Sequence, residues 1–478
     1  MAGLPVVKTA LTPAPVDPPP PTTCRIALLD CYTGSNLGDA AIIDSAIANL
    51  RQRIPGVVLS GISLSNYNMS SRHGIRGLAL SCTPLPFYAM SNWSPAVETR
   101  AASAVRSSFR DSVKAAMPGL WALSKWVVGT AATVPREIRH CVRAAREMRN
   151  HDLLVVCGGG QIDDEWGGSW GHPYAVFKWV LAASLAGTPV AIASVGVSRL
   201  HHRLSRWFFR AAFRLATYRS FRDRWSRELA ADIAGTFGET IRTDAVVPDL
   251  AFALARACVP PSAAFQERAQ GSRVVAISPI AFARPGSWPT QSAALYERYL
   301  VTMRTVVSYL IDSGYFLVFV WSSMPDDRIA LDELLDGLDP ATAGRLQART
   351  AMASIEHGSW EHLVTALQGV DFVVASRLHS LILSLLVRKP SVAISFDPKV
   401  DRLMRDLGDE ASLLDIAKFS AQQVVDRIRA FDADPSRQTA RIDHFVGGLV
   451  NELSAQFDRL AGICRTERAS VPAREARG

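Results

Sequence analysis

The sequence predicts an α/β protein built from two doubly wound domains, each with a parallel β-sheet covered by helices on both faces. Short apolar strands alternate with helical stretches along most of the chain, and this alternation is typical of parallel sheets. The alternation stops in a proline-containing stretch at 256–272 and then restarts, which indicates a linker between two similar domains. The length of 478 residues also exceeds that of one ordinary domain.

Changes in composition place the predicted domain boundaries. We expect a proline-rich disordered leader at 1–22, an N-terminal α/β domain at 23–258 with a helical insertion at about 84–150, a C-terminal α/β domain at 271–415, helices at 416–464 and a disordered tail at 465–478. The apolar stretch at 180–197 suggests a membrane span, but Gly187 and Pro189 divide it into a helix end and a buried strand. No transmembrane span is predicted.

The N-terminal domain opens with a strand, a loop and a helix. A strand at "CRIALLD" is followed by a loop of Gly, Ser and Asn and by a helix with apolar residues at 42, 43, 46, 47 and 50. Further strands of this domain are predicted within 153–160, 189–197 and 216–223. The C-terminal domain is predicted to contain strands at "RVVAISP", "YFLVFVW", "DFVVAS" and "SVAISF", with helices over roughly 290–313, from about 326 and near 360.

The loops that follow the predicted strands are the candidate sites, because ligands of open α/β sheets bind outside the carboxyl ends of the strands. The loop at 34–39 resembles a phosphate loop, since glycines let backbone amides approach an anion at the start of a helix. It lacks the Walker and the dinucleotide-binding signatures, however. A tight turn in which Asn36 and Asp39 cap the helix explains the same residues.

Three glycines precede an acidic run after the strand within 153–160. Gly158, Gly159 and Gly160 either bring the backbone close to a ligand or give room to a bulky neighbour. Asp163 and Asp164 follow and are unsuited to binding a phosphate directly. We interpret these carboxylates as candidate contacts to sugar hydroxyls.

Charged residues also follow two later strand ends of the N-terminal domain. Arg222 and Asp223 come directly after an apolar strand, where a structural ion pair is the alternative to a ligand contact. Asp249 follows another strand end, where its alternative role is to cap a helix.

The stretch "SRLHSLILSLL" at 376–386 places an Arg and a His at the start of an apolar helix. Ser376 is the predicted N-cap, so Arg377 and His379 are expected in the first helical turn. Cations at this position oppose the helix dipole unless an anion is bound between them. An Arg paired with a carboxylate, together with a capping His, is the structural alternative. Residues two apart on a helix point in different directions, so joint action requires a distorted turn or a ligand that wraps the helix end.

Six motifs together carry a resemblance to a known family. In chain order they are "GSNLGDAAI", "GGGQIDD", "SFRDRWSREL", "PDLAF", "SRLHSLILSLLVRKPSVAIS" and "FDPKV". Over about residues 25–410 the chain resembles the polysaccharide pyruvyl transferase family, whose members are similar in fold to the two-lobed, glycosyltransferase-B-like enzymes. The stretch at about 84–150 matches no motif of that family.

This resemblance implies a function and a donor site. Members of the family move pyruvate from phosphoenolpyruvate onto two hydroxyls of a sugar, which forms a cyclic ketal of a cell-envelope exopolysaccharide and releases phosphate. The resemblance implies that Arg377 and His379 belong to the donor site. It also implies that Arg222 is a second anion contact and that Lys399 supports it. The glycine loops match the family motifs less closely, and the resemblance implies that they bind the acceptor or lie between the domains.

The residue types suit this chemistry. Phosphoenolpyruvate carries a carboxylate and a phosphate, and guanidinium groups bind such anions through charge-assisted hydrogen bonds worth about 1.5–3 kcal/mol each. His379 is the predicted acid that protonates the methylene carbon, and Arg377 would assist phosphate departure. The base that takes the sugar proton is left open among Asp39, Asp163 and Asp164. No metal, and no cofactor apart from the co-substrate phosphoenolpyruvate, is predicted.

The net charge indicates which classes of ligand the protein can bind, and the cysteine content indicates its compartment. The chain has 52 Lys and Arg against 44 Asp and Glu, which suits anionic ligands or lipids, and no recognition motif supports nucleic-acid binding. The seven cysteines are scattered and favour a reducing cytoplasm.

A basic, aromatic stretch at 199–214 suggests contact with a membrane. A helix of this kind can lie at an anionic membrane surface, although a solvated basic face over a packed aromatic one is the alternative. The residues concerned are Arg199, Arg203, Arg206, Arg210 and Arg214, with Trp207, Phe208, Phe209 and Phe213, to which the insertion adds Trp93, Trp121 and Trp126. We therefore expect a cytoplasmic protein with peripheral contact to the inner face of the membrane, and a sugar or a lipid-linked oligosaccharide as acceptor.

Two other functions stay open at this point. One is a nucleotide-sugar glycosyltransferase of the same two-lobed fold, for which no ribose-binding acid is well placed. The other is a non-catalytic scaffold of a polysaccharide assembly complex. The acceptor sugar, its pair of hydroxyls, the ketal stereochemistry and the oligomeric state are not predicted.

Overall fold

The computed structural model of the protein describes most of the two predicted domains. The described residues are 24–31, 36–81, 134–165, 167–254, 269, 271–288, 290–348, 350–352 and 359–470. The predicted leader, most of the predicted insertion with its three tryptophans, and most of the linker lie outside the described residues.

Seven parallel strands form the sheet of the N-terminal lobe, in the order β3-β2-β1-β4-β5-β6-β7. They are β1 (Arg25–Leu29), β2 (Val58–Ser63), β3 (Arg76–Ala79), β4 (Leu153–Cys157), β5 (Val190–Val195), β6 (Tyr218–Phe221) and β7 (Ala245–Val246). The four predicted strands are confirmed as β1, β4, β5 and β6. The prediction missed β2, β3 and β7, because their sequences are short or mix Ser, Gly and Arg with apolar residues.

Helices cover both faces of this sheet. They are α1 (Leu37–Arg53), α2 (Asn66–Ser71), α3 (134–148), α4 (His172–Leu185), α5 (Arg203–Leu215), α6 (Arg224–Ala234) and α7 (Gly238–Arg242). The first two pack on the face shared with the C-terminal lobe, whereas α3 to α6 pack on the opposite face. As predicted, the apolar stretch at 180–197 is a helix end and a buried strand. Within the described residues no helix combines the length and the apolar character that crossing a membrane requires.

Six parallel strands form the sheet of the C-terminal lobe, in the order β10-β9-β8-β11-β12-β13. They are β8 (Val274–Ser278), β9 (Phe316–Phe319), β10 (Thr350–Met352), β11 (Phe372–Ala375), β12 (Ser391–Ser395) and β13 (Leu413–Asp415). Its helices are α8 (Ala293–Asp312), α9 (Asp326–Asp336), α10 (Pro340–Ala348), α11 (Trp360–Gln368), α12 (Leu378–Leu386) and α13 (Pro398–Asp406). The four strands predicted here are confirmed, and the short edge strands β10 and β13 were missed.

The last two helices connect the lobes. α14 (Ala421–Ala433) packs on the C-terminal lobe, and α15 (Pro435–Ser470) returns to the N-terminal lobe. Gln456 of α15 donates to the Ser194 hydroxyl at 2.8 Å and accepts from the Tyr218 hydroxyl at 3.1 Å. The predicted disordered tail from 465 is wrong at its start, because this helix continues to Ser470.

A disulfide joins the two ends of the described chain. Cys24 precedes β1 and Cys464 lies on α15, and the two are bonded across a separation of 440 residues. Scattered cysteines gave no sign of this pairing. Disulfides persist in oxidising compartments, so the bond disagrees with the reducing environment inferred from the sequence, and the cytoplasmic location stays a prediction.

Candidate active site

The loops after β1 and β9 meet between the two lobes. The Leu37 N–H donates to the Ser322 carbonyl oxygen at 2.9 Å. Asn36 and Ser323 form an isolated antiparallel bridge beside this bond. Asn36 also caps α1 as predicted, because its side-chain oxygen accepts from the Gly38 N–H at 2.9 Å. The carboxyl ends of the two sheets therefore face each other across a cleft.

The His379 ring extends from the C-terminal lobe onto the first turn of α1. A Cβ atom built on Gly38 would lie 1.9 Å from His379 Cγ, so a glycine is required for the ring to fit there. His379 Nε2 lies 3.9 Å from Asp249 Oδ2 and is buried without a hydrogen-bond partner. Burial lowers the pKa of His379 to about 4, with the attraction of Asp249 opposing and the charges of Arg222 and Lys399 adding to the lowering.

Arg377 is the N-cap residue of α12, so the prediction of Ser376 as N-cap is wrong. Its Nε and Nη2 donate to both oxygens of the buried Asp327 at 2.7–3.2 Å, and its guanidinium lies 5.6 Å from the centre of the Trp288 ring. An Arg paired with a carboxylate was the structural alternative at this position. The pairing leaves Nη1 of Arg377 for a ligand.

Replacement of Arg377 by Lys is expected to lower the free energy of unfolding by about 1–3 kcal/mol, because the buried Asp327 loses hydrogen bonds that a single ammonium cannot replace. Urea denaturation measures the change. Arg388→Lys is the matched control, since Arg388 pairs with Asp443 at a surface where both side chains are one third or more exposed. That control is expected to change stability by less than about 1 kcal/mol. Wild-type stability of the Arg377→Lys protein would contradict the structural role.

Arg222 directly follows β6, and its side chain packs against Gly196, the residue after β5. A Cβ atom on Gly196 would lie 2.5 Å from Arg222 Nη2, so the glycine leaves room for the guanidinium. Arg222 Nη1 is 3.3 Å from Asp249 Oδ2, and Nε is 3.7 Å from Asp223. Its Nη2 is buried and has no hydrogen-bond partner. The predicted ion pair is therefore present, and one N–H group of Arg222 stays available to an anion.

α13 contributes two cations that lie about one helical turn apart. Lys399 Nζ is 3.9 Å from a Cβ atom built on Gly160, so it reaches the glycine loop of the other lobe. Arg402 lies 4.0 Å above the centre of the Trp225 ring and 3.7 Å from Asp223. Its Nη1 is buried without a hydrogen-bond partner, and burial lowers its pKa. Arg402 was not predicted from the sequence, although its spacing of three from Lys399 places both on one helix face.

Asp39 lies in the first turn of α1, and its Oδ1 is 3.6 Å from a Cβ atom built on Gly159 of the glycine loop. The residue is partly buried. Desolvation by burial raises the pKa of Asp39 to about 7, with the charge of Asp249 raising it further and those of Arg222 and Lys399 lowering it. Asp249 also caps the short helical turn after β7, because its Oδ1 accepts from the Ala251 N–H at 3.0 Å. The carboxylate pair was not foreseen, since the two residues are far apart in sequence.

The other two candidate carboxylates bind the backbone. Both oxygens of Asp164 accept from the N–H groups of His201 and His202 at 2.9–3.1 Å, and Asp164 is 2% exposed. Asp163 accepts from the Glu165 N–H at 2.8 Å. These bonds hold the loop after β4 in place.

The glycine loop is shaped by packing as well as by the cleft. Gly158 and Gly159 have positive φ angles of 31° and 61°, which side chains rarely adopt. A Cβ atom on Gly158 would lie 3.2–3.3 Å from Ile42 and Leu250. Gly158 therefore gives room to bulky neighbours, which was one of the two interpretations of this loop.

A buried carboxylate that the sequence analysis missed follows β1. Asp30 is 1% exposed and accepts from Gln161 Nε2 at 2.7 Å. Burial raises its pKa well above the usual value, and the charge of Asp39 raises it further. A single Asp at the end of an apolar strand gave no signal that would separate it from a cap.

Two parallel-sheet lobes with charged groups from both sides of one cleft define a protein of the two-lobed, glycosyltransferase-B-like fold class. A family model described as polysaccharide pyruvyl transferase matches residues 36–398, and the chain belongs to this family. A search of curated proteins found no match.

Solved structures share the fold at low sequence identity. A putative UDP-N-acetylglucosamine 2-epimerase from Listeria monocytogenes is 10% identical, with 94% of this chain and 98% of that chain covered and a TM-score of 0.54. The S. aureus MnaA–UDP co-structure is 10% identical, with 94% and 99% covered and a TM-score of 0.53. The Neisseria meningitidis UDP-GlcNAc 2-epimerase bound to UDP-GlcNAc is 10% identical, with 92% and 100% covered and a TM-score of 0.50. These likenesses confirm the predicted two-lobed fold.

Proposed function

We propose that the protein transfers pyruvate from phosphoenolpyruvate to two hydroxyls of a sugar in a polysaccharide or its lipid-linked precursor, forming a cyclic ketal and releasing phosphate. The observation that carries the proposal is a set of three buried nitrogens without a hydrogen-bond partner, namely Nη2 of Arg222, Nη1 of Arg402 and Nε2 of His379. Membership of the pyruvyl transferase family supports the same chemistry. A small anion with a carboxylate and a phosphate would satisfy donors from both lobes at once.

Donor binding is assigned to the cations of the cleft. Arg222 and Arg402 provide charge-assisted hydrogen bonds, Lys399 provides a point charge, and Arg377 provides the nitrogen that Asp327 does not use. The first turn of α12 has no side-chain cap, so its backbone N–H groups add to the preference for an anion.

His379 is the proposed acid. Its pKa of about 4 keeps the imidazole neutral at pH 7 without the donor. Burial lowers this pKa, and the charges of Arg222 and Lys399 lower it further. The negative charge of a bound donor opposes both effects, so donor binding draws a proton onto Nε2. That proton goes to the methylene carbon while positive character develops at the neighbouring carbon. One sugar hydroxyl attacks this carbon, the C–O bond to phosphate breaks, and the second hydroxyl closes the ketal.

Asp39 is the proposed base. A carboxylate with a pKa of about 7 accepts a proton readily near neutral pH and returns it readily, which suits a general base. Two hydroxyl protons are released for each ketal. One replaces the proton that His379 gave to the methylene carbon, and the other leaves with the phosphate.

The proposal is tested with the full-length protein, phosphoenolpyruvate and a panel of free and lipid-linked saccharides. We expect phosphate release that depends on the acceptor, and a product heavier than the acceptor by pyruvate minus water. Calorimetry measures phosphoenolpyruvate binding separately. A protein that does not bind phosphoenolpyruvate, or that turns over a nucleotide sugar instead, would exclude the proposed reaction.

The close approach of Gly38 to His379 provides a steric test. Gly38→Ala is expected to lower kcat/KM roughly 100-fold, because the added methyl group displaces the catalytic ring by about 1 Å. Gly447→Ala on α15 is the control, since nothing lies within 4 Å of a Cβ atom built there. We expect the control to keep wild-type activity. Equal activity of the two variants would show that His379 need not occupy its place against α1.

A further inference from the structure

The helical face that α3, α4 and α5 form on the N-terminal lobe points away from the C-terminal lobe, and we call it the outer helical face. In the described part of the chain, seven of the ten exposed large hydrophobic residues lie on or beside these helices. They are Val134, Ile138, Val142, Trp170, Leu185, Leu204 and Trp207. A cluster of this kind on a monomer usually marks an interaction site.

Two tryptophans lie at the centre of the outer helical face. Trp170 is 65% exposed and Trp207 is 55% exposed. Both rings contact the buried Phe208, with centroids 5.8 and 5.4 Å apart, and Trp207 also contacts Phe177 at 5.3 Å. The two indoles are thus held outward by packed aromatic neighbours. Trp combines an apolar ring with an N–H donor, which suits the boundary between lipid and water.

α3 extends this surface. Glu137 accepts from the Tyr174 hydroxyl at 3.1 Å and from Lys178 Nζ at 2.8 Å. Its negative charge is therefore paired with a cation of α4. The next residue, Ile138, is 59% exposed. Val134 and Val142 lie four residues to either side of Ile138 and therefore share its face of the helix.

The charge of the outer helical face is strongly positive. The three helices contain nine Lys and Arg against two Glu, and α5 carries four Arg and no acid. Both Glu residues are paired, Glu137 with Lys178 and Glu147 with Arg76. Exposed arginines flank Trp207 on α5, the arrangement of a helix that lies in a membrane interface.

We propose that the outer helical face docks on an anionic phospholipid bilayer. The exposed apolar groups are spread over three adjacent helices, which suits a flat lipid surface, and the arginines match anionic headgroups. Of the aromatic residues predicted for such a contact, Trp207 is available, whereas Phe208, Phe209 and Phe213 are buried in the core. The proposal is independent of the donor chemistry, because lipid binding is measured without substrates.

Co-sedimentation of the full chain with vesicles tests the proposal. We expect binding to vesicles of phosphatidylcholine mixed with phosphatidylglycerol, weaker binding to phosphatidylcholine alone, and loss of binding as salt is raised. The double variant Trp170→Ser, Trp207→Ser is expected to bind anionic vesicles roughly tenfold less tightly. Tyr67→Ser is the matched control, since Tyr67 is 75% exposed but lies on α2, on the opposite face of the sheet.

The outcomes separate the occupants of this face. A wild-type protein that stays in the supernatant with anionic vesicles would overturn the proposal, as would equal binding by the double tryptophan variant. A dimer in sedimentation velocity that dissociates in the double variant would assign the face to a second copy of the chain instead. Phosphate release with a soluble acceptor is expected to be unchanged in the double variant, so failure of docking is distinguishable from failure of the transferase proposal.

Discussion

Replacing His379 by Ala is expected to abolish ketal formation while phosphoenolpyruvate still binds. The variant keeps the cations that hold the donor but lacks the group that protonates the methylene carbon, and loss of such an acid costs roughly 100-fold to 10,000-fold in rate. Phosphate release measures turnover, and calorimetry measures donor binding. His362→Ala is the control, because His362 is an exposed residue of α11 on the same lobe. Turnover by His379→Ala at the wild-type rate would remove His379 from the mechanism.

The same variant tests how the acid becomes protonated. The wild-type protein is expected to take up a proton when phosphoenolpyruvate binds near pH 7, because the donor raises a pKa that is about 4 without it. Calorimetry in two buffers with different ionisation enthalpies measures this uptake. We expect the His379→Ala variant to bind phosphoenolpyruvate without taking up a proton. An uptake that is the same in both proteins would place the proton on another group.

Replacing Asp39 by Asn is expected to lower turnover roughly 100-fold to 10,000-fold and to make the folded state more stable at high pH. The pKa of Asp39 is raised from 3.8 to about 7 in the folded protein. Between these values the folded state holds a proton that the unfolded state has lost, so the stability of the wild type falls as pH rises through this range. Asn does not titrate, so the variant gains stability relative to the wild type as pH rises, up to about pH 7.

Thermal unfolding at several pH values measures this difference. Asp336→Asn serves as the control, since Asp336 is exposed and its substitution is expected to give no such trend. Donor affinity of Asp39→Asn is expected to equal or exceed that of the wild type, because one negative charge near the anion is removed. A stability difference that is the same at pH 5 and pH 8 would show that Asp39 is not desolvated in the folded protein.

Sequence patterns predicted the sheets where the strands are long and apolar. The central strands β1, β4, β5, β8, β11 and β12 are buried on both faces, so their sequences are continuous apolar runs. Strands near the edges, such as β3 and β13, bury less and carry polar residues, so they resemble loops. The predicted disordered tail failed at 465–470 for a related reason, because polar residues at the end of a helix resemble a coil.

The candidate site residues could be predicted only where their position directly after a strand was enough to identify them. The rule that ligands bind beyond strand ends directed attention to Arg222, His379 and Lys399, and the structure places all three near Asp39 and Asp249. Pairings between distant segments were invisible. Arg377 and Asp327 are 50 residues apart, and the contact of Arg402 with Trp225 joins the two lobes. Such partners depend on how the lobes are placed, and no local pattern encodes that.

The return of α15 to the N-terminal lobe means that this lobe is not encoded by one uninterrupted stretch of sequence. Leu453 and Phe457 of that helix are fully covered, and Cys464 is bonded to the residue before the first strand. A fragment that ends at the linker lacks α15, so the apolar surface of the N-terminal lobe that this helix covers would be exposed to water. Separate production of the two halves should therefore yield an aggregating first half, unless the closing helix is grafted back or added as a peptide in trans.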